Sequence, residues 1–145
     1  MEREITVEVP GLPPLKSEAT SQFSEKHGHP GRVRLLLDRA RAALAEGAGA
    51  PFGERDHLGL DVAIESPEET LPGDATNYLG GIADVLENKA AREKQRPGSL
   101  DYLGDLAKVA LYPNDRQIRE VIYRHRPGES QRYTVRVWAL PDEVR

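Results

Sequence analysis

The chain has 145 residues, 38% hydrophobic and 30% charged, which is long enough for one domain with a core and too apolar for a wholly disordered chain. Its 24 acidic residues outweigh 20 basic ones, and the net charge of −4 counts against a protein that holds nucleic acid by bulk positive charge. With no cysteine there is no disulfide framework and no thiolate metal site; with no apolar signal core in MEREITVEVP and no membrane-length apolar run, a cytoplasmic single domain over residues 1–145 is expected.

EITVEV alternates, with Ile5, Val7 and Val9 on one face and Glu4, Thr6 and Glu8 on the other, so it reads as a half-buried strand. A long proline- and glycine-bearing loop follows, from Gly11 to Gly31, and it includes His27 and His29 two residues apart. That pair lacks a third nitrogen or thiolate ligand nearby, and a plain loop is the simpler reading. In RVRLLLDRARAALAEG, Val33, Leu36, Leu37, Ala40 and Leu44 recur at helical spacing, and Gly47 stops the helix. HLGLDVAIES puts Leu58, Leu60, Val62 and Ile64 on one face of a second strand.

A second helix is expected from about Asn77, with an apolar stripe of Leu79, Ile82, Val85 and Leu86. Asp74 precedes it. Asn77, Gly81 and Asp84 sit three or four residues apart and so share one face. Two readings are open here. Asp74 or Thr76 is a helix cap and Asp84 a solvated acid, or these acids belong to a hard-cation site that Asp115 completes. ENKAAREKQRPGS reads as the frayed end of that helix plus an exposed loop. LDYLGDLAKVALY reads as a short helix with Leu103, Leu106 and Val109 or Ala110 inward. YPND makes a turn, in which Asn114 and Asp115 have ordinary turn chemistry.

Two strands close the chain, QIREVIYRH and QRYTVRVWAL, joined through RPGES as an antiparallel hairpin. The second places Tyr133, Val135 and Val137 on one face and Trp138 on the other, where the indole would suit a dimer contact or pack under a helix. The order gives an α+β fold, a mixed or antiparallel sheet with helices packed on one face. Residues 116–136 carry a local excess of arginine, split between strand faces because Arg119 and Val121 point one way and Arg124 the other.

Three segments taken in order resemble the RusA family of Holliday junction resolvases. They are VEVPGLPPLKS followed by a helix, GDATNYLGGIADVL, and ALYPNDRQIREVIYR. The second resembles the family pattern D-x-D-N-x-x-K with D-A-L following, and the third resembles D-D-x-Q-[IV] leading into a strand. The resemblance spans roughly Ile5 to Leu140 and is specific over residues 74–86 and 111–123. It implies a small α+β homodimer in DNA recombination and repair that binds four-way junctions and cuts them with Mg²⁺ held by aspartates. Carried over, Asp74, Asp84 and Asp115 are the catalytic acids, Asp74 and Asp115 hold the metal, and Asn77 and Gln117 support them. Lys16, Arg116, Arg119 and Arg124 then face DNA, branched or duplex. Thr76 stands where the motif has its second aspartate, Gly80 where it has lysine, and Asn114 where the D-D pair begins, and an insertion over about residues 88–108 separates the motif halves. An endonuclease with a remodelled site requires Asp74, Asp84 and Asp115 to converge. A non-catalytic DNA-binding or dimerising relative predicts arginines sharing a surface and acids apart or salt-bridged. A protein-interaction module unrelated to the family predicts an exposed apolar patch on Trp138, Val109 and the inserted segment.

Overall fold

The computed structural model describes residues 3–16, 30–48, 51–95, 97–98 and 100–141, so His27 and His29 lie outside the described residues. The elements are β1 (Glu4–Pro10), α1 (Pro30–Ala43) continuing into a π turn (Leu44–Ala48), β2 (Leu58–Ser66), α2 (Ala75–Leu86) and α3 (Ala90–Gln95). A 3₁₀ segment (Asp101–Lys108), a 3₁₀ turn (Asp115–Gln117), β3 (Ile118–Pro127) and β4 (Arg132–Ala139) complete the chain. No helix among the described residues is long and apolar enough to cross a membrane.

The fold is α+β, with one mixed four-stranded sheet ordered β1-β4-β2-β3. β4 runs antiparallel to both β1 and β2, and β3 runs parallel to β2 at the edge. The expected closing hairpin is therefore not formed. β4 inserts between β1 and β2, and β2 separates it from β3. The physical reason lies in β4's backbone pairing, which is made along both sides: with β1 over Arg132–Trp138 and with β2 over Arg132–Ala139, while Tyr133, Val135 and Val137 are buried under the helices. The RPGES link instead crosses the end of β2, where the Gly128 N–H donates to the Ser66 carbonyl at 3.1 Å. A Cβ at Gly128 would lie 2.9 Å from the Glu65 Cβ, so glycine is what lets the chain pass this close.

One face of the sheet carries Ile5, Val7, Val9, Leu58, Leu60, Val62, Ile64, Tyr133, Val135 and Val137, all buried in a single core. The expected stripe of α1 docks there: Val33, Leu36, Leu37 and Ala40 are fully buried. Val33, Leu36 and Leu37 each contribute about 1.5–3 kcal/mol of burial, and the Ala40 methyl less. α2 adds Tyr78, Ile82, Val85 and Leu86, while Leu79 is only half-buried. The inserted stretch is docked as well, since Leu100, Leu103 and Val109 belong to the core. It is not the frayed end of α2. α2 ends at Leu86, and the Asn88 side chain accepts the Ala90 N–H at 2.9 Å to start α3. The 3₁₀ segment breaks at Gly104, which has φ +57°.

The other sheet face is polar and ordered by charge. Asp61 is 7% exposed beneath Arg124 (3.1 Å) and Arg136 (3.4 Å). Arg136 also pairs with Glu4 at 2.8 Å, and Arg132 with Glu65 at 2.9 Å. Trp138 lies on this face against Gly59, with the Arg136 guanidinium 4.4 Å from its ring.

Candidate functional site at the two ends of helix α2

The local sequence at the start of α2 makes a cap. The Asp74 carboxylate accepts the Asn77 N–H at 2.9 Å and the Thr76 hydroxyl at 2.9 Å, and these bonds hold its pKa below the usual aspartate value. The helix begins at Ala75, two residues earlier than the periodicity placed it. Tyr123 of β3 lies near enough to Asp74 and Tyr78 that both, after burial, help raise its pKa.

The second acidic group is at the opposite end. Twelve residues at 1.5 Å each make α2 about 18 Å long. Asp84 sits in its last turn, and Lys16 reaches it at 3.6 Å. Beyond the helix, the Glu87 carboxylate accepts the Asp115 backbone N–H at 2.9 Å. Burial raises the Glu87 pKa, the Asp115 and Asp84 charges add to the rise, and only the bond from Asp115 opposes it. Tyr112 is fully buried beside these acids, with its hydroxyl donating to the Ala83 carbonyl at 2.7 Å. Burial first, then Asp115, Glu87 and Asp84, push its pKa well above the tyrosine value.

The structure thus brings Asp84 and Asp115 together and leaves Asp74 a helix length away. Glu87, which joins them, was missed in the sequence. It lies just past the helix, as the extended residue after Leu86, and its contact with Asp115 leaves no local mark in the sequence. Asn114 caps the 3₁₀ turn by accepting the Arg116 N–H at 2.8 Å, and the Gln117 side chain accepts the Asn114 N–H at 2.9 Å. The Gln117 amide also donates to the carbonyls of Gly53 (2.7 Å) and Asp56 (2.9 Å), so this buried side chain ties the turn to the connector before β2. Asn77 is exposed, and its carbonyl accepts the Lys16 N–H at 3.1 Å.

The expected cations do not form one surface. Lys16 runs over Gly80, where a Cβ would meet its Cδ at 3.0 Å, and ends at Asp84. Arg116 is exposed at the acidic end, Arg119 is the extra residue of a β-bulge opening β3, and Arg124 lies on the polar sheet face against Asp61. Arg124, Arg132 and Arg136 do share that face, each matched to a carboxylate. Val109 is buried in the core and Trp138 packs on Gly59, so the two do not combine in an exposed apolar patch.

For a divalent ion the donor chemistry at the acidic end is suitable, because carboxylate oxygens are hard ligands; the rise of Glu87 comes first from burial and only then from the neighbouring acids, whose repulsion a cation would relieve. Among the described residues, no group of three or more His, Asp or Glu is spaced to hold a metal ion. Asp74 and Asp115 cannot share one across α2. No protein-family model matches the chain, and comparison with curated proteins finds no relative.

Proposed function

We propose that the chain is a RusA-like domain that acts on branched DNA as a metal-dependent endodeoxyribonuclease, with the acidic end of α2 as its reacting site. The observation that carries this reading is the rejoining of the two segments on which the resemblance rests. In sequence they are parted by residues 88–108. In the fold, Leu111 N–H donates to Leu86 O at 2.9 Å, Asn88 N–H to Tyr112 O at 3.0 Å, and Asp115 N–H to Glu87 at 2.9 Å. The insertion leaves and returns at one point, so the motif halves meet as they would with a short link.

Glu87 and Asp115, with Asp84 beside them, offer the carboxylates for Mg²⁺, and an ion would have to draw them together, because among the described residues no three are spaced to hold one. When bound, the ion supplies charge neutralisation on a phosphodiester and lowers the pKa of a coordinated water. Lys16 offers a positive charge at the same end, and Arg116 is exposed beside it to meet backbone phosphates. A homodimer in the cytoplasm is the assembly and compartment that go with this reading.

A second reading, a non-catalytic DNA-binding or dimerising relative, is favoured by the commitments the acids already have. Asp84 is paired with Lys16, and Asp74 is engaged in capping α2. One experiment separates the two: a labelled four-way junction incubated with Mg²⁺ or Mn²⁺, using the wild type, Asp115→Asn, Glu87→Gln and Asp74→Asn. Paired nicks lost in Asp115→Asn and Glu87→Gln support the nuclease at the acidic end. Nicks lost only in Asp74→Asn move the site to the start of α2. Junction binding without nicking supports the second reading, and absence of both overturns the DNA assignment.

A further inference from the structure

Residues 88–108 do more than lead the chain away and back. α3 and the 3₁₀ segment flank a cavity of about 480 Å³, inside the roughly 300–1,000 Å³ range of small-molecule sites. Leu100, Ala90 and Ala107 give it apolar walls, and Lys89 lines it as well. The Lys89 side chain is buried, and its ammonium donates to the Glu87 carbonyl at 2.9 Å and the Val109 carbonyl at 2.6 Å, so that charge is engaged. The 3₁₀ segment kinks at Gly104 beside the cavity, and a Cβ on Gly104 would meet no atom within 4 Å.

Three further ionisable side chains border this space. Glu93 is committed, since its carboxylate accepts the Gly98 N–H at 2.9 Å. Asp101 and Lys108 are not: among the described residues neither side chain has a hydrogen bond or an ion pair. They are the first and last residues of the 3₁₀ segment, and both line the cavity without pairing with one another. A carboxylate and an ammonium thus stand apart across a space with apolar walls.

We propose that this cavity binds a linear zwitterion with an apolar middle, its ammonium at Asp101 and its carboxylate at Lys108. The apolar chain displaces water from Leu100, Ala90 and Ala107. The two end charges fix its direction, as a few polar groups orient a ligand in an otherwise apolar site. A ligand with one charge leaves one of the two side chains unmatched, and a ligand with none leaves both. The class comprises short apolar peptides with free termini and ω-amino acids. Asp101 and Lys108 take no part in the nuclease reading, so the inference stands or falls without DNA.

Calorimetric titration of the whole chain with ω-aminooctanoate, octylamine and octanoate reads the charge match directly. The zwitterion should bind about tenfold more tightly than either singly charged probe. Asp101→Asn should abolish its advantage over octanoate, and Lys108→Gln its advantage over octylamine. Both residues are exposed, so circular dichroism should stay unchanged. Trileucine is the second zwitterionic probe. Binding tighter than that of ω-aminooctanoate, and lost when both termini are capped, supports the site and assigns it to peptides; weaker binding supports it and assigns it to ω-amino acids. Equal affinity for ω-aminooctanoate, octylamine and octanoate overturns the proposal. So does the absence of saturable binding of either zwitterion at millimolar concentration, and so do affinities that Asp101→Asn and Lys108→Gln leave unchanged, which would place the binding elsewhere.

Discussion

Gly59→Ala sets two opposing effects of known sign against each other. Gly59 lies in β2 and is not among the glycines with positive φ, so its backbone suits alanine. Removing the glycine's freedom from the unfolded chain would by itself stabilise the protein by about 0.4–1 kcal/mol. Against this stands Trp138: a Cβ at Gly59 would lie 2.2 Å from Cε2 and Cζ2 and 2.7 Å from Cη2 of the indole. A rigid ring face offers no flexible end to yield. The indole must tilt off the sheet, which lifts it from β2 and breaks its stack with Arg136 at 4.4 Å. Overpacking of this kind costs about 1–3 kcal/mol, enough to reverse the sign. The expected net effect is a loss of roughly 1–2 kcal/mol, or about 2–8 °C in Tm. Trp138 is the single tryptophan, so its emission reports the displacement directly. In a Trp138→Leu background the same substitution should become neutral or stabilising. A Gly59→Ala protein with raised Tm and unaltered emission would refute the reasoning.

Three further outcomes follow from the ends of α2. Glu87→Gln should raise Tm at neutral pH and have little effect well below pH 4.5, because a pKa raised in the fold means the native state binds the extra proton and loses stability as pH climbs through that window; a Tm difference independent of pH would contradict this. Asp74→Ala should lower Tm at neutral pH, and the gap should close as pH falls below 3.8 through the depressed native pKa, since the capping bonds require the carboxylate; melting curves across an acid series decide it. Gly80→Ala should push the flexible Lys16 stem away from Asp84, and the pairing lost, under about 1 kcal/mol, is offset by the roughly 1 kcal/mol that alanine gains over glycine inside a helix, so Tm should hardly change. Lys16→Met should then add nothing in the Gly80→Ala background, and full additivity of the two would show that they are independent.

What could be read in the sequence was whatever repeats along it. The alternation in β1 and β2 and the helical spacing in α1 record directly which side chains meet the core, and those faces are buried as expected. Strand partnership leaves no such record. QIREVIYRH and QRYTVRVWAL are close in sequence with a turn between them, which favours a hairpin by proximity. In the fold β2 lies between them. An apolar face alone does not mark the central strand: Ile5, Val7 and Val9 are as buried as Tyr133, Val135 and Val137, yet β1 is an edge and β4 is central. Glu87 illustrates the same limit at the site. Its importance arises from a contact across 28 residues, and no local pattern encodes that contact.

The two ends of α2 also explain why one short stretch supports two chemical readings. A carboxylate before the first turn is stabilised by the N–H groups it caps, and Asp74 is held ionised by them. At the other end the helix presents carbonyls, and the backbone N–H that meets an acid there, from Asp115 to Glu87, comes from outside the helix. Asp84, Glu87 and Asp115 gather there nonetheless, and the arrangement raises Glu87 rather than lowering it. Cations are already engaged there: Lys16 pairs with Asp84 along the track that Gly80 leaves open, and the buried Lys89 ammonium donates to the Glu87 and Val109 carbonyls. Arg116 is exposed at the same end. Burial is the largest cause of the Glu87 rise, so the Glu87→Gln pH profile measures chiefly the cost of burying that carboxylate, with the neighbouring acids adding to it.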